Sequence, residues 1–362
     1  MGATYKLQGI QEGVLESEMT SFRSMNGHTR LRGPMDESVV GSTSVPNDIV
    51  LFTYPGSPFG LRVQLYLQLR EQPFIMPRPD REKLGVKYRR IPILAIRRDI
   101  YLDTRLILRT LERRFPDGKL GSDKPEHKFA EKLLEKYMVE GPVVQEAAGL
   151  VPTAILQNPK FAEDRKGFLG RKWTQEELDQ GRPECLLFVR NLFDLLESTV
   201  LADRRKWVLE TEKPSLADVQ AIWPLDWGTK LGLPSHVVSE EKFPKVYAWM
   251  SRLRAAAASS ARERISMTGD VVVRYLRETT METAQDEVDE NDPQDLEKGT
   301  QVEISPADWG SDHRDSGRLV GLAPDEVTIM VEDAVTLRLH APRTGFKVTA
   351  IGTDASGGST KL

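Results

Sequence analysis

A short apolar run that ends in turn residues and a proline is the feature that most constrains how this chain can fold. The run Ile49–Phe52 is followed by Pro55 and Gly56, so it is predicted to be a buried strand closed by a turn. Ser57 is a preferred helix N-cap, and Pro58 falls at the first helical position, where a missing N–H costs nothing. A small hydroxyl is therefore expected where a strand turns into a helix. The N–H groups and positive dipole end of that helix favour an anion, and a thiolate is such an anion.

The bulk composition excludes several classes of function. Of the 362 residues, 39% are apolar and 29% are charged, which predicts two or three domains with real cores. No apolar run approaches the ~20 residues of a membrane span, so no membrane partner is expected. A formal charge of -4 does not provide the basic face that nucleic-acid binding needs.

The cysteine and histidine content predicts a reducing compartment and no metal site. Cys185 is the only cysteine, so it cannot form an internal disulfide, and its apolar neighbours predict a buried small hydrophobe. The five histidines are scattered without zinc-binding spacing, so no metal is expected. With no secretory signal in the sequence, a cytoplasmic location is predicted.

The first third of the chain is predicted to hold one small α/β unit. Residues 1–45 have no apolar set to bury and are predicted to be disordered. Residues 46–122 are predicted to contain the strand and helix on either side of Ser57, an uncertain link, a hairpin and a second helix. The hairpin pairs Ile91–Ile96 with Ile100–Leu102, and the second helix begins directly after it.

The remainder of the chain divides into helical, acidic and alternating segments. Residues 125–262 carry only helical signals, which predict an all-helical domain over residues 123–277. Residues 278–298 form an acidic run that predicts a linker. Five short alternating segments with Gly, Pro and Asp turns then predict a small β-barrel domain over residues 299–352. They are Thr300–Ile304, Arg318–Leu322, Val327–Val331, Val335–His340 and Phe346–Ile351.

This order of elements resembles that of the glutathione transferases over roughly residues 48–262. Five segments carry the resemblance: Ser57–Arg62, similar to the Cys/Ser-Pro-Phe-x-x-Arg turn of omega- and zeta-like members; Arg90–Leu94, similar to a Val-Pro-x-Leu stretch with a cis proline; Asp103–Thr104, in place of the usual Glu-Ser; Ser215–Asp218, similar to a capping box; and Phe243–Trp249, similar to a Tyr-Pro…Trp stretch. The resemblance implies an α/β thioredoxin-like N-terminal domain plus an all-α transferase C-terminal domain, here with an appended small β-barrel domain. The layout looks most like that of fungal transferase-like proteins from natural-product pathways.

The resemblance implies that one hydroxyl meets the sulfur of glutathione. Ser57 is the first candidate, because it aligns with the catalytic turn; its alternative role is that of a helix N-cap alone. Tyr54 is the rival hydroxyl, since other branches of the family use a tyrosine; otherwise it packs at the domain junction. One hydroxyl together with a helix N-terminus could lower a thiol pKa by about one to two units.

Four further residues are implied to hold the peptide part of glutathione. Pro92 would be cis, so that the backbone of Ile91 pairs with a peptide-like substrate in strand fashion. Asp103 would meet the γ-glutamyl ammonium and Thr104 its carboxylate, although both residues could simply cap a helix. Arg62 is expected to be a structural ion-pair residue.

The sequence thus predicts a glutathione-dependent transferase that adds the glutathione thiolate to an electrophilic, apolar small molecule in secondary metabolism. Two alternatives stay open: an isomerase or lyase acting on a conjugated natural-product intermediate, and a non-catalytic interaction protein with the transferase fold. The partners implied are glutathione and the small molecule, with a homodimer as a further option. Because every candidate residue lies upstream of residue 280, removal of the predicted barrel is expected to leave glutathione binding unchanged.

Overall fold

A computed structural model describes residues 45–352, except for residues 55, 73–83, 158, 160–161, 164–165, 167–173, 261–268, 283–286 and 334. The predicted disorder of residues 1–45 concerns a segment that lies outside the described residues, apart from Val45. None of the helices in the described part of the chain is both long and apolar enough to cross a membrane.

The N-terminal unit contains the strand, hairpin and helices that the sequence predicts. Its elements are β1 (Ile49–Phe52), α1 (Pro58–Leu69), β2 (Ile93–Ile96), β3 (Asp99–Leu102) and α2 (Thr104–Arg114). β1 pairs antiparallel with β2, and β2 pairs antiparallel with β3 across a turn at Arg97 and Arg98. The uncertain link between α1 and the hairpin falls largely on residues 73–83, outside the described residues.

Helices come after the N-terminal unit. They are α3 (Pro125–Glu135), a π-helical turn (Lys136–Glu140), α4 (Val143–Ala148), a 3₁₀ turn (Thr153–Gln157), α5 (Gln175–Ser198), α6 (Leu216–Lys230), α7 (Pro244–Ser260) and α8 (Gly269–Glu278). Asp218 is buried at the start of α6, where it accepts hydrogen bonds from the Ser215 and Val208 backbone N–H groups and from Trp249 Nε1, each 2.8 Å long. It is therefore the folding cap that the sequence predicts.

Five strands form a C-terminal β module, as the alternating segments predict. They are β4 (Gln301–Pro306), β5 (Asp315–Leu322), β6 (Glu326–Glu332), β7 (Thr336–Pro342) and β8 (Phe346–Ala350). Within the module the strands lie in the order β7-β6-β5-β4-β8. The two end strands, β7 and β8, are not paired with each other among the described residues.

The expected separate barrel is corrected by the structure, because the module continues the sheet of the N-terminal unit. β7 pairs in parallel with β3, with Asp99 opposite Arg338 and Tyr101 opposite His340, and this pairing joins all strands into one eight-stranded mixed sheet. The physical reason is that β3 would otherwise be a sheet edge with unpaired N–H and carbonyl groups. A parallel pairing between segments so distant in sequence leaves no local turn signal.

The strands of the N-terminal unit are buried on both faces. Ile49 and Leu51 of β1 face α1 and α2, whereas Val50 and Phe52 face a second core. That second core contains residues of α8 and the inner residues of the module. A strand covered on both sides is an unbroken apolar run, as the sequence of β1 is.

The acidic segment expected to be a linker packs against the module along residues 287–298. Val288 forms a bridge with Leu322 of β5, and Asp292 pairs with Arg343, which comes directly after β7. The Gln294 amide donates to the carbonyl of Val348 at 3.0 Å. These contacts hold the segment on the module, which its charge pattern alone does not indicate.

A buried ionic cluster lies at the junction of β3 and β7. Asp99 is fully buried and accepts from Arg338 Nε at 2.6 Å and from Arg338 Nη2 at 2.9 Å. His340 lies between two carboxylates, with Nε2 3.0 Å from Asp99 and Nδ1 2.8 Å from Glu326, and its ring stacks on Tyr101. Burial opposes protonation of His340, but its hydrogen bonds with Asp99 and Glu326 outweigh burial and raise the imidazole pKa above its usual value.

Replacement of Asp99 by Asn should lower the free energy of unfolding by about 3–5 kcal/mol, because it removes the carboxylate that pairs with the buried Arg338 and one of the two carboxylates that face His340. Urea unfolding followed by circular dichroism measures this loss. The matched control is Glu303→Gln, which breaks an exposed pair with Arg314 in the same module and should cost less than about 1 kcal/mol. Equal losses in the two variants would contradict a central role of the cluster.

The same cluster predicts a pH dependence of stability. Since the pKa of His340 is raised on folding, its contribution is complete below about pH 6.5 and is lost as the pH rises through the higher folded value. The free energy of unfolding of the native protein should therefore fall more steeply across this range than that of His340→Gln, in which only other groups such as Glu131 contribute. Urea titrations at a series of pH values test this, and parallel slopes for the two proteins would refute it.

Candidate functional site

The predicted site residues meet at one edge of the sheet. Phe52 at the end of β1 pairs with Ile93 at the start of β2, and Ile93 pairs with Leu102 at the end of β3. The turn to α1, the residues before β2 and the start of α2 therefore leave the sheet side by side. We refer to this end of the sheet as the site edge. It brings together Ser57, Ile91, Pro92, Asp103 and Thr104, whose roles toward a ligand stay predictions.

Ser57 is the N-cap of α1, as the sequence predicts. Its Oγ accepts a hydrogen bond from the Gly60 backbone N–H at 3.1 Å, and its side chain is buried. Because the oxygen acts as an acceptor in this bond, the hydroxyl hydrogen remains available for a sulfur acceptor. The N-cap role and the sulfur role are thus compatible in one side chain.

Gly60 allows the end of β1 to pack closely on α1. A Cβ at this position would overlap the Thr53 hydroxyl and would lie 3.2 Å from Ser57 Oγ. Thr53 is buried, and its hydroxyl has no hydrogen-bond partner among the described residues. Because Gly60 has no side chain, the start of α1, and with it the Ser57 hydroxyl, can lie close to the end of β1.

The bond between Ile91 and Pro92 is cis, which confirms that prediction. Neither the N–H nor the carbonyl of Ile91 makes a backbone hydrogen bond with another described residue. A peptide-like ligand could therefore pair with this backbone in strand fashion. The preceding Arg90 donates from Nε to the carbonyl of Trp309 at 3.0 Å and pairs with Asp308, both in the β4–β5 loop of the module.

Thr104 and Arg62 link the site edge to the helical part of the chain. Arg62 is fully buried and donates to the hydroxyl of Thr104, to Gln220 of α6 and, at 3.3 Å, to Glu135 of α3. Burial lowers the pKa of Arg62, and the charge of Glu135 opposes this shift. Arg62 is therefore the structural ion-pair residue that the sequence predicts. As Thr104 accepts from Arg62, its own hydroxyl hydrogen can still be donated to an anion.

The carboxylate of Asp103 is engaged by Arg105. Arg105 donates from Nε to Oδ1 at 3.0 Å, from Nη2 to Oδ2 at 2.9 Å, and from its backbone N–H to Oδ1 at 2.9 Å. Burial raises the pKa of Asp103, but the bonds from Arg105 outweigh burial and hold this pKa below its usual value. Asp103 also has a positive φ of 68°, a backbone strain that costs about 1–3 kcal/mol.

Tyr54 and Cys185 are the remaining candidates. Tyr54 lies in the turn that follows β1, so it is also at the site edge; it is 42% exposed, and its carbonyl accepts from the Ser57 N–H at 3.4 Å. Cys185 is buried in the helical core, where burial raises the pKa of its thiol to about 11, so it behaves as the small hydrophobe predicted.

The β module also reaches the site edge. Parallel strands end on the same side, so the turn after β7 comes beside the start of α2, where the Thr344 carbonyl accepts from Arg105 Nη2 at 3.1 Å. With Arg90 held by the β4–β5 loop, the module contacts the residue before Ile91 and the residue after Thr104. That removal of the module leaves glutathione binding unchanged stays a prediction, and these two contacts are the ones through which removal could disturb the site.

Sequence reasoning missed Arg105 and the partners that the module supplies. The spacing of Asp103 and Arg105 at a helix start was a local signal, because an N-cap carboxylate lies close to side chains of the first turn. Trp309 and Thr344 gave no such signal, since their place depends on the β3–β7 pairing.

Two family models match parts of the chain. Residues 51–121 match the N-terminal domain of glutathione S-transferase, and residues 146–262 match a domain of unknown function, DUF7962. The N-terminal unit is thus a thioredoxin-like domain of the glutathione transferase type. No curated protein matches in a sequence search.

Several solved structures resemble this chain at low sequence identity. A GST-like protein from Pseudomonas syringae matches with a TM-score of 0.63 and 21% identity, covering 84% of this chain and 99% of its own. Ure2p5 from Phanerochaete chrysosporium has a TM-score of 0.45 and 21% identity, covering 60% and 94% of the two chains. Maleylacetoacetate isomerase from Anaeromyxobacter dehalogenans has a TM-score of 0.41 and 17% identity, covering 59% and 93%. At these identities the likeness concerns the fold alone.

Replacement of Gly60 by Ala should destabilise the protein by about 1–3 kcal/mol, because the new methyl group overlaps the Thr53 hydroxyl. The sign of this change in stability is diagnostic, since replacing Gly by Ala inside a helix ordinarily stabilises the protein by about 1 kcal/mol. Gly181 of α5, which has open space around it, is the matched control and should show that gain.

The double variant Thr53→Ala/Gly60→Ala should recover most of the loss, because it removes the overlapping oxygen. Urea unfolding of the native protein, Thr53→Ala, Gly60→Ala and the double variant gives the coupling energy between the two positions. Additive effects of the two substitutions would refute the close approach.

Proposed function

We propose that this chain is a glutathione-dependent enzyme that adds the glutathione thiolate to an electrophilic, apolar small molecule. The observation that carries the proposal is the convergence at the site edge of three groups suited to a thiol peptide. These are the Ser57 hydroxyl at a helix N-terminus, the Ile91 backbone beside a cis proline, and the Thr104 hydroxyl at a second helix N-terminus.

In this proposal Ser57 activates the sulfur. Its hydroxyl donates a hydrogen bond to the thiolate, and the N-terminal dipole of α1 favours the negative charge. A thiol with a pKa of about 8.5 is only a few per cent ionised at neutral pH, so each unit of lowering raises the thiolate fraction several-fold. Because Ser57 caps α1, its hydroxyl already lies at the N-terminus of that helix.

The electrophile would lie between Ser57 and the helices. Phe59, two residues after Ser57, packs against Trp223 of α6 in a tilted arrangement, with ring centroids 4.8 Å apart. This pair places aromatic surface beside the start of α1 and suits an apolar acceptor, for which a secondary metabolite is the class we propose. An isomerase outcome needs rotation about the bond that addition makes single, followed by expulsion of the thiolate, which restores the double bond. A lyase outcome needs loss of a leaving group and then elimination of the thiolate together with a neighbouring proton, which forms a second double bond. Product analysis separates these outcomes from stable transfer.

A second candidate is a non-catalytic interaction protein. The observation that favours it is the engagement of Asp103 by Arg105, which reduces the capacity of this carboxylate for a ligand ammonium. Calorimetric titration with glutathione discriminates the two candidates, since absence of binding at millimolar concentration would favour the interaction protein.

Replacement of Ser57 by Ala should lower glutathione-dependent turnover by about 10–100-fold, or about 1.4–2.7 kcal/mol in the barrier. Stability should fall by only about 1 kcal/mol from the lost cap. Conjugation of a generic aromatic electrophile, followed by absorbance, measures the turnover. Tyr54→Phe is the matched control and should retain activity; the reverse pattern would assign the sulfur role to Tyr54.

A further inference from the structure

Arg105 stands where the proposed glutathione site requires an available carboxylate. Its guanidinium and backbone N–H together supply three hydrogen bonds to Asp103, two of them to Oδ1. The side chains of Arg105 and Asp103 are only 10% and 11% exposed. A carboxylate oxygen offers about two acceptor positions, so Oδ1 is saturated and Oδ2 keeps one position.

Arg105 is held in this place from three directions. Beyond Asp103, it pairs with Glu140 of the π-helical turn at 3.0 Å and donates to the Thr344 carbonyl of the module at 3.1 Å. Glu140 is itself paired with Lys136 at 3.2 Å. Both carboxylates near the start of α2 therefore already have a cation, and swinging Arg105 away would break contacts with three parts of the chain.

The α-ammonium and the α-carboxylate of a γ-glutamyl group would consequently meet different surroundings at the start of α2. An ammonium placed at Asp103 would compete with Arg105 for the one acceptor position left on Oδ2 and would lie close to its guanidinium, whose charge Glu140 balances in part. A carboxylate placed at Thr104 would meet a hydroxyl and a helix N-terminus, beside the guanidinium of Arg62 that Glu135 already pairs. At the start of α2 an incoming carboxylate therefore finds available donors, whereas an incoming ammonium finds acceptors that are mostly occupied.

We propose that Arg105 determines specificity by replacing the ligand ammonium at Asp103, so that the site prefers a thiol peptide whose N-terminal group is a dicarboxylic acyl chain without an α-amino group. The inference rests on the proposed function and narrows its substrate class. Glutaryl-Cys-Gly, which is glutathione without the amino group, is the simplest ligand of this kind.

The test is calorimetric titration of glutathione and of glutaryl-Cys-Gly into the native protein, Arg105→Ala and Arg109→Ala. The native protein should bind glutaryl-Cys-Gly about tenfold or more tightly than glutathione, because one like-charge contact is absent. In Arg105→Ala the order should reverse, since Asp103 then becomes available to the ammonium.

Arg109 provides the matched control. It lies one turn further along α2 and pairs with Asp325 of the module at 2.8 Å, so its removal also costs a contact with the module but leaves Asp103 untouched. Arg109→Ala should keep the native preference. If Arg105→Ala does not fold by circular dichroism, Arg105→Gln replaces it; this variant retains a donor to Asp103 without the charge and should reduce the preference.

The possible failures are distinguishable. A native protein that prefers glutathione, or a preference that is equal in the native protein and Arg105→Ala, overturns the role of Arg105 and leaves the proposed site standing. Binding of neither ligand to any folded variant overturns the proposed glutathione site and this inference with it.

Discussion

The pairing of β3 with β7 is the constraint on which the arrangement of the whole chain depends. A parallel pair offers weaker backbone pairing per residue than an antiparallel one, and only three residue pairs are formed here. The buried cluster of Asp99, Arg338 and His340 supplies the specificity that so short a pairing lacks. In this register Asp99 faces both Arg338 and His340, and a slip by one residue would turn these two side chains to the other face of the sheet, away from Asp99.

The position of the module at the site edge is a consequence of that register. Because β3 and β7 are parallel, the chain leaves both strands on the same side of the sheet, and the start of α2 meets the β7–β8 turn. The β4–β5 loop reaches Arg90 on the other flank of Ile91. Residues that would contact a ligand are thus surrounded by residues that hold two parts of the chain together, and several polar groups serve both purposes. Arg62 is the clearest example, since it supports Thr104 while joining the thioredoxin-like domain to α3 and α6.

Local signals in the sequence were sufficient for most elements and insufficient for their assembly. Ser57 and Pro58 predicted the start of α1, and the Gly, Pro and Asp turns predicted the five strands of the module, because capping and turn chemistry act within a few residues. Family resemblance supplied the cis bond at Pro92 and the meeting of Ser57 with Thr104. The β3–β7 pairing, the packing of residues 287–298 and the capture of Asp103 by Arg105 were missed. The first two depend on partners that are distant in the sequence. The third depends on the side chain of Arg105, which could also have extended into solvent.

Asp99 has a further consequence during synthesis of the chain. Its partner Arg338 is 239 residues away, so at about 5–20 residues per second the ribosome needs about 10–50 s to supply it. For that time β3 is an open strand edge, the kind of surface that recruits neighbouring chains. A carboxylate on such an edge discourages this, because any apolar strand that paired there would bury a charge whose partner in the N-terminal unit, Arg114, lies 3.5 Å away. Asp99, which binds β7 through Arg338 in the folded protein, thus disfavours pairing of β3 with other strands until β7 has been synthesised.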